Sequence, residues 1–184
     1  MTAVVVTGLA ITPVKGTRLQ AVGRVALALD GVRENRRFFV IDARDQMVNG
    51  KVLGELQTVI ADYADCERRL TLTLPDGRVV SDAVTLGEQV EARFFSRTLL
   101  GRLVTGPLSQ ALSEVAGQPL RLVEPLASSG AVDRGAAGAV SLISRASLRR
   151  LAQLGGRDEL DARRFRMLIE VDGLDAHAED DWVG

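Results

Sequence analysis

Apolar positions in the first hundred residues fall into short runs separated by turn signals, which is typical of strands in a small barrel or sandwich. The clearest run is 69–74, where Leu70, Leu72 and Leu74 alternate with polar positions and create one apolar face. Residues 75–77, Pro-Asp-Gly, form a strong turn signal that makes this run the first half of a hairpin. The pattern predicts strands over residues 4–11, 24–29, 38–42, 59–62, 69–74 and 78–82.

The pattern changes after residue 104, where helical spacing enters. Pro107 suits the first turn of a helix that Gly117 would end, and Ser144 suits the N-cap of a second helix ending at Gly155. We expect strands at 120–123, 140–143 and 167–171, and a loop over the small residues of 128–138. The predicted fold class is mainly β with a few helices (α+β), with a β-barrel-like domain over 1–105 and a second domain over 106–184.

Composition narrows the classes of protein that are compatible with this pattern. The 184 residues are 46% hydrophobic and 26% charged, which is a globular composition. The net charge is -1, with 23 Lys and Arg against 24 Asp and Glu, so no global field favours nucleic acid. No apolar stretch is long enough to span a bilayer, and the start lacks the features of a secretory signal. A single cysteine fits a reducing compartment, and we expect a cytoplasmic protein.

Basic residues beside apolar runs are the main chemical signal. Lys15 follows Pro-Val, Arg37 precedes Phe-Phe, and Arg166 ends the segment 163–166, Arg-Arg-Phe-Arg. Arginine offers a planar fork of donors for phosphate and lysine a point charge, so convergence of the three would create an anion site. Gly16 can adopt a positive φ and let a ligand approach the backbone. The alternative is that each residue is an ordinary solvated charge at the end of a strand.

Ser144 offers a second kind of anion partner. It lies between a predicted strand and a predicted helix, where unpaired backbone N–H groups point outward and favour a phosphate. The alternative is a plain serine N-cap that binds no ligand.

Five segments together resemble a known family. Residues 11–16 (ITPVKG) and 35–42 (NRRFFVID) are similar to the MOSC N-terminal β-barrel domain. Residues 141–148 (SLISRASL), 164–166 (RFR) and 178–182 (AEDDW) are similar to the MOSC domain, named for the C-terminal region of molybdenum cofactor sulfurase. The order and spacing of the segments also match, and the resemblance covers nearly the whole chain.

The resemblance implies that the protein binds molybdenum cofactor through its phosphorylated pterin (molybdopterin), as the mitochondrial amidoxime-reducing component does. Lys15, with Gly16 beside it, and Arg37 would contact the pterin phosphate from the first domain, and Ser144 and Arg166 from the second. Pyridoxal phosphate, bound through Lys15, is a minor alternative cofactor.

The resemblance stops before the family's functional cysteine. Family members that handle molybdenum or sulfur use a cysteine downstream of the acidic-tryptophan segment, whereas this sequence ends at Gly184 within a partial MOSC β-barrel. Cys66 lies far upstream and is a poor substitute. Met167 and Leu168 also replace the usual Pro-Asn after Arg166, which removes an amide that would help to hold the pterin. We therefore expect an oxidoreductase or sulfur-transfer enzyme only in a longer form, and we assign no catalytic residue to this chain.

Other chemistries have less support. His177 is the only histidine, which argues against a Ser-His-Asp triad and against a multi-histidine metal centre. The side chains of Glu179, Asp180 and Asp181 diverge because they are adjacent, so we assign no metal ligand. The rival hypothesis is a non-catalytic module that binds a phosphorylated small molecule or a protein. A redox partner protein would accompany the oxidoreductase, and unpaired sheet edges would favour a homodimer.

Overall fold

A computed structural model describes residues 3–126, 132 and 140–182. Its strands outnumber its helices, so the predicted mainly β class with a few helices is confirmed. The α-helices are α1 (Pro107–Ala116) and α2 (Arg145–Leu154). The strands are β1 (Val5–Ile11), β2 (Gln20–Ala21), β3 (Phe39–Ile41), β4 (Met47–Val48), β5 (Ile60–Ala64), β6 (Arg69–Thr73), β7 (Val79–Ala83), β8 (Leu86–Phe94), β9 (Arg97–Val104), β10 (Arg121–Pro125), β11 (Leu142–Ser144) and β12 (Ile169–Asp172).

The chain forms two compact units. The smaller unit contains Met1–Ile11, Ala21–Val25 and Val140–Gly184, and the larger unit contains Thr12–Gln20 and Ala26–Ala139. Helix α1 and strand β10 follow the predicted domain boundary at residue 105 but belong to the larger unit. The compact units thus divide the chain at other positions than the predicted domains, which stay a prediction.

Two antiparallel sheets build the larger unit. One has the strand order β4-β3-β10-β9-β8 and the other the order β5-β6-β7. Because side chains alternate along a strand, neighbouring residues of β3 and β10 enter different apolar clusters. Val40 and Leu122 belong to the first cluster, whereas Phe39 and Val123 belong to the second. Both sheets are open as far as the described residues go, so the expected barrel does not close there.

The hairpin predicted from the Leu-Thr alternation is present. Strand β6 pairs with β7 through the turn at 75–77, and Leu70 and Leu72 are fully buried. Helix α1 starts with Pro107 and ends before Gly117, which adopts the left-handed conformation. These elements follow from local signals, and the structure confirms them.

The smaller unit is a sheet with one helix. Its strand order is β11-β12-β1-β2, and the boundary between the units falls within β2. Strands β11 and β12 are parallel, and α2 lies between them along the chain. Ser144 is the N-cap of α2, as predicted, because its side chain accepts a hydrogen bond from the Ser147 N–H.

The strand expected at 24–29 is wrong. Only Ala28 makes a bridge, to Gly31, and Leu27 and Leu29 are exposed. A run of apolar residues forms a strand only where a neighbouring strand and a core accept it. The loop expected at 128–138 lies outside the described residues, apart from Val132. Within the described part of the chain, no helix is both long and apolar enough to cross a membrane.

Candidate functional site

Two of the predicted basic segments meet in the larger unit. The Lys15 N–H donates to the Phe38 carbonyl (2.8 Å), and the Phe38 N–H donates to the Pro13 carbonyl (2.9 Å). Val14 and Phe38 form a parallel bridge. These contacts fix the backbone of Lys15 directly beside the segment that carries Arg37.

Buried threonines hold the turn that contains Lys15. The hydroxyls of Thr12 and Thr17 lie 2.6 Å apart and hydrogen-bond to each other, and both oxygens are within hydrogen-bond distance of the Val14 carbonyl (3.2 and 2.8 Å). The Thr12 N–H donates to Asn35 Oδ1 (3.1 Å), which ties the turn to the second basic segment. Gly16 has φ +100°, a conformation that side chains disfavour. The turn is therefore fixed on both sides, and the expected positive φ at Gly16 is confirmed.

The ammonium group of Lys15 lies over aromatic rings. Its Nζ is 5.6 Å from the centre of the Phe95 ring and 5.9 Å from that of Phe94, within the range of a cation–π interaction. Phe94 in turn packs edge-on against Phe39, with ring centres 5.3 Å apart. The end of β8 and the turn after it thus supply the two rings that Lys15 lies over, and Phe39 of β3 packs against Phe94.

Arg37 belongs to a charged cluster that also contains Glu124 and Arg68. Its Nη2 bonds to Glu124 Oε1, and Arg68 Nη2 bonds to Glu124 Oε2 (2.9 Å). Glu124 is only 5% exposed, so one buried carboxylate accepts hydrogen bonds from two guanidinium groups. Arg37 Nε and the Tyr63 hydroxyl are buried and have no hydrogen-bond partner in the described part of the chain. Burial raises the pKa of Tyr63 and keeps its hydroxyl protonated.

Ser144 is buried within the smaller unit. Its N–H donates to Glu179 Oε1 (2.8 Å), and its hydroxyl donates to Ser147 Oγ (2.9 Å). The Ser147 hydroxyl oxygen also accepts a hydrogen bond from the His177 N–H (2.8 Å). A carboxylate of the protein therefore faces the α2 N-terminus, where the sequence predicts a phosphate.

The electrostatics of Glu179 agree with this geometry. Burial alone would raise the pKa of Glu179, but hydrogen bonds from Ser147 and Ser144 outweigh it and lower the pKa. Glu179 is thus ionised at neutral pH and compensates the positive end of the helix dipole.

Arg166 lies in a turn of the smaller unit, between the 3-10 helix Ala162–Arg164 and β12. It is half-buried and has φ +53°. The positive φ marks Arg166 as a residue in an uncommon backbone conformation, which occurs often at functional sites.

A groove of about 990 Å³ lies in the same unit, but its charges are balanced. Arg145 bonds to Glu170 (2.8 Å), and Arg163 bonds to Asp161 (2.7 Å). The hydrogen bonds from Arg163 lower the pKa of Asp161 to about 2. We assign no ligand to this groove because its arginines are matched by carboxylates.

The predicted residues thus form two sets. Lys15, Gly16 and Arg37 lie together in the larger unit, and Ser144 and Arg166 lie in the smaller unit. A single site made from both sets stays a prediction. Within the described residues, no group of His, Cys, Asp and Glu is arranged to hold a metal ion, and Cys66 is exposed.

Sequence reasoning missed three residues around these sets. Glu124 carries no local signal, since its strand is defined by apolar neighbours. Phe95 lies in the turn between β8 and β9, in a segment where no individual strand was predicted. Glu179 was weighed as a metal ligand and as part of the segment 178–182 that resembles the MOSC domain, but not as a partner of Ser144. The signal that could have linked them is that the segments 141–148 and 178–182 belong to the same resemblance.

Comparisons with known proteins add little to this geometry. No family model matches the chain, and no curated protein matches it. Among solved structures, the solution structure of a structural genomics target protein from Bordetella bronchiseptica is similar over 50% of this chain and 72% of that chain. The two are 17% identical with a TM-score of 0.41, and no functional argument rests on that similarity.

Proposed function

We propose that this chain is a MOSC-type protein that binds the phosphorylated pterin of molybdenum cofactor, with the phosphate held by Lys15 and Arg37. The observation that supports this proposal is the pair of backbone hydrogen bonds between the Lys15 turn and Phe38, the residue next to Arg37, within one compact unit. Two cations of different geometry on a fixed backbone are suited to a phosphate dianion.

The residues of the larger unit are compatible with a phosphate. The Arg37 side chain is 20% exposed, so part of it is open to a phosphate although its Nε is buried. Gly16 itself is buried, and Asn49, Gly50 and Leu56 lie within 4 Å of the position that a Cβ would occupy. Its part in the proposal is therefore to allow the turn that carries Lys15. When bound, the cofactor would supply a molybdenum centre for oxidoreductase or sulfur-transfer chemistry. We assign no residue of this chain to the metal.

The residues of the smaller unit, Ser144 and Arg166, have less support as phosphate contacts than Lys15 and Arg37. Ser144 already donates its N–H to Glu179, so a phosphate at that position would have to replace a carboxylate. Arg166 stays a proposed phosphate contact. A cytoplasmic location and a redox partner protein belong to the same proposal.

The test is to co-express the chain with an active molybdenum-cofactor pathway and to measure pterin and molybdenum per mole of purified protein. We expect near-stoichiometric pterin in the wild type and at least about a tenfold loss in Arg37→Ala, since hydrogen bonds to charged groups contribute about 1.5–3 kcal/mol. Arg44→Ala is the matched control because Arg44 is an exposed arginine of the same unit. Pterin at background level in the wild type would refute the proposal.

A non-catalytic module for another phosphorylated metabolite is the second candidate. The confinement of Lys15 and Arg37 to the larger unit favours it, because such a site needs neither Ser144 nor a cysteine. Ligands that bind the folded state raise the unfolding temperature. Stabilisation by pyridoxal phosphate or sugar phosphates that is lost in Arg37→Ala, in protein without bound pterin, would favour this candidate.

A further inference from the structure

Three aromatic rings form a continuous row that runs from the core of the larger unit to its surface. Phe39 packs edge-on against Phe94, and Phe94 packs edge-on against Phe95, with ring centres 5.3 Å apart in both pairs. Phe39 and Phe94 are fully buried, whereas Phe95 is 62% exposed. The exposed ring is therefore supported by packed rings below it, which restricts its motion.

The backbone of Phe95 is unusual for an aromatic residue. It has φ +56° in the turn between β8 and β9, where glycine or asparagine would be less strained. A bulky residue at positive φ costs free energy, and such strain is concentrated at binding and active sites. Burial of the side chain does not explain its presence, because most of the ring faces solvent.

Two cationic side chains of the described residues lie beside these rings. Lys15 Nζ lies 5.6 Å from the Phe95 ring centre, and the Arg97 guanidinium carbon lies 5.5 Å from the Phe94 ring centre. Arg97 is further fixed by a hydrogen bond to the Val132 carbonyl (3.0 Å). An exposed ring beside a fixed ammonium group offers a stacking surface and an anion partner to the same ligand.

We propose that Phe95 is the stacking surface for the planar ring of a phosphorylated heteroaromatic ligand whose phosphate contacts Lys15. This inference rests on the proposed function and specifies the ligand class: a phosphate joined by a short spacer to a flat ring. A phosphorylated ligand without a ring would use only the cationic part of the site.

The experiment compares two phosphates by isothermal titration calorimetry on the purified chain. Flavin mononucleotide carries a planar ring, and glycerol 3-phosphate does not. We expect Phe95→Ala to weaken flavin mononucleotide binding about tenfold and to leave glycerol 3-phosphate binding unchanged, because stacking is lost and the phosphate contact is kept. Phe95→Tyr keeps an aromatic ring and should bind both ligands as the wild type does.

Val79→Ala is the matched control, since Val79 is also 62% exposed in the larger unit but lies on β7. Equal affinity of wild type and Phe95→Ala for flavin mononucleotide would overturn the stacking proposal. So would a Phe95→Ala variant that loses both ligands equally.

The variant Lys15→Gln distinguishes a failure of the stacking proposal from a failure of the proposed phosphate site. If Lys15→Gln weakens both ligands while Phe95→Ala weakens neither, the phosphate site stands and the stacking surface is wrong. If Phe95→Ala weakens flavin mononucleotide but Lys15→Gln has no effect, stacking stands and the phosphate assignment is wrong. A wild type that binds neither ligand at millimolar concentration contradicts both.

Discussion

The two units are stabilised by different interactions. In the larger unit, apolar side chains from both sheets and α1 form two buried clusters. In the smaller unit fewer apolar residues are buried, among them Leu148, Leu168 and Val171, and polar contacts surround the α2 N-terminus. Apolar burial is non-directional, whereas hydrogen bonds depend on geometry and on protonation. The comparison indicates that the larger unit, with its two apolar clusters, should be the more sensitive to changes in volume. In the smaller unit we expect a pH-dependent contribution from Glu179 at the α2 N-terminus.

The largest expected effect comes from the core of the larger unit. Phe38 is fully buried and packs edge-on against Tyr63. Phe38→Ala should lower the free energy of unfolding by about 3–5 kcal/mol, because it leaves a cavity. Val6→Ala in the smaller unit should change it by less than about 0.5 kcal/mol, since Val6 is exposed. Urea denaturation measures both, and similar values for the two variants would show that Phe38 does not lie in a packed core.

The next largest effect comes from removing a buried carboxylate of the larger unit, compared with removing an exposed one. Glu124→Gln removes the carboxylate that serves Arg37 and Arg68, and should cost about 2–4 kcal/mol because a largely buried guanidinium loses its partner. Glu114→Gln removes the exposed partner of Arg78 and should cost less than about 1 kcal/mol. The two unfolding free energies are measured side by side. Equal losses of unfolding free energy in the two variants would show that Glu124 and its two arginines are exposed to solvent.

A smaller effect concerns the turn beside Lys15. Gly16→Ala should cost about 1–2 kcal/mol through backbone strain at φ +100°, since the added Cβ would meet no atom closer than 3.6 Å. Gly23→Ala is the control in the smaller unit because its φ is ordinary and the space around it is open. Thermal unfolding of both variants tests this prediction. A neutral Gly16→Ala would mean that the turn is not fixed.

The smallest effect depends on pH and belongs to the smaller unit. The pKa of Glu179 is lowered in the folded protein, so the unfolded chain binds more protons and stability rises with pH. The contribution is complete above the ordinary value of 4.5 and is lost as the pH falls through the lower native pKa. Glu179→Gln should cost about 1 kcal/mol at pH 7 and progressively less below pH 4.5.

The measurement for Glu179 is the unfolding free energy of wild type and Glu179→Gln between pH 3 and pH 7. Other carboxylates affect both proteins alike, so the difference isolates this residue. A difference that stays constant over the range would contradict the assignment of Glu179 to the α2 N-terminus.

Local patterns predicted much of the fold. The Leu-Thr alternation of β6, the Pro-Asp-Gly turn, Pro107 at the start of α1 and Ser144 at the start of α2 are all observed. Each depends on residues a few positions apart, whose conformational preferences act before the chain is compact. The run at 24–29 failed because an apolar sequence also needs a partner strand, and residues 24–27 pair with none among the described strands.

The candidate site was predicted less well, because it too depends on partners that are distant in the chain. Lys15, Gly16 and Arg37 were selected from the sequence, and the backbone hydrogen bonds bring their segments together. The side-chain partners could not be predicted, because each comes from a distant part of the chain: Arg37 and Glu124 are 87 residues apart, and Ser144 and Glu179 are 35 apart.

By itself, the sequence determined the mainly β class, the hairpin, both helix starts and the choice of Lys15 and Arg37 as candidate anion ligands. Only the tertiary structure decided that Glu124 neutralises part of the Arg37 cluster, that Glu179 faces the α2 N-terminus, and that Lys15 lies over the rings of Phe94 and Phe95. The physical reason is that short-range preferences act between neighbours in the chain. The electrostatic environment of a charge, in contrast, is set by whichever distant side chains the folded sheets bring within a few ångströms.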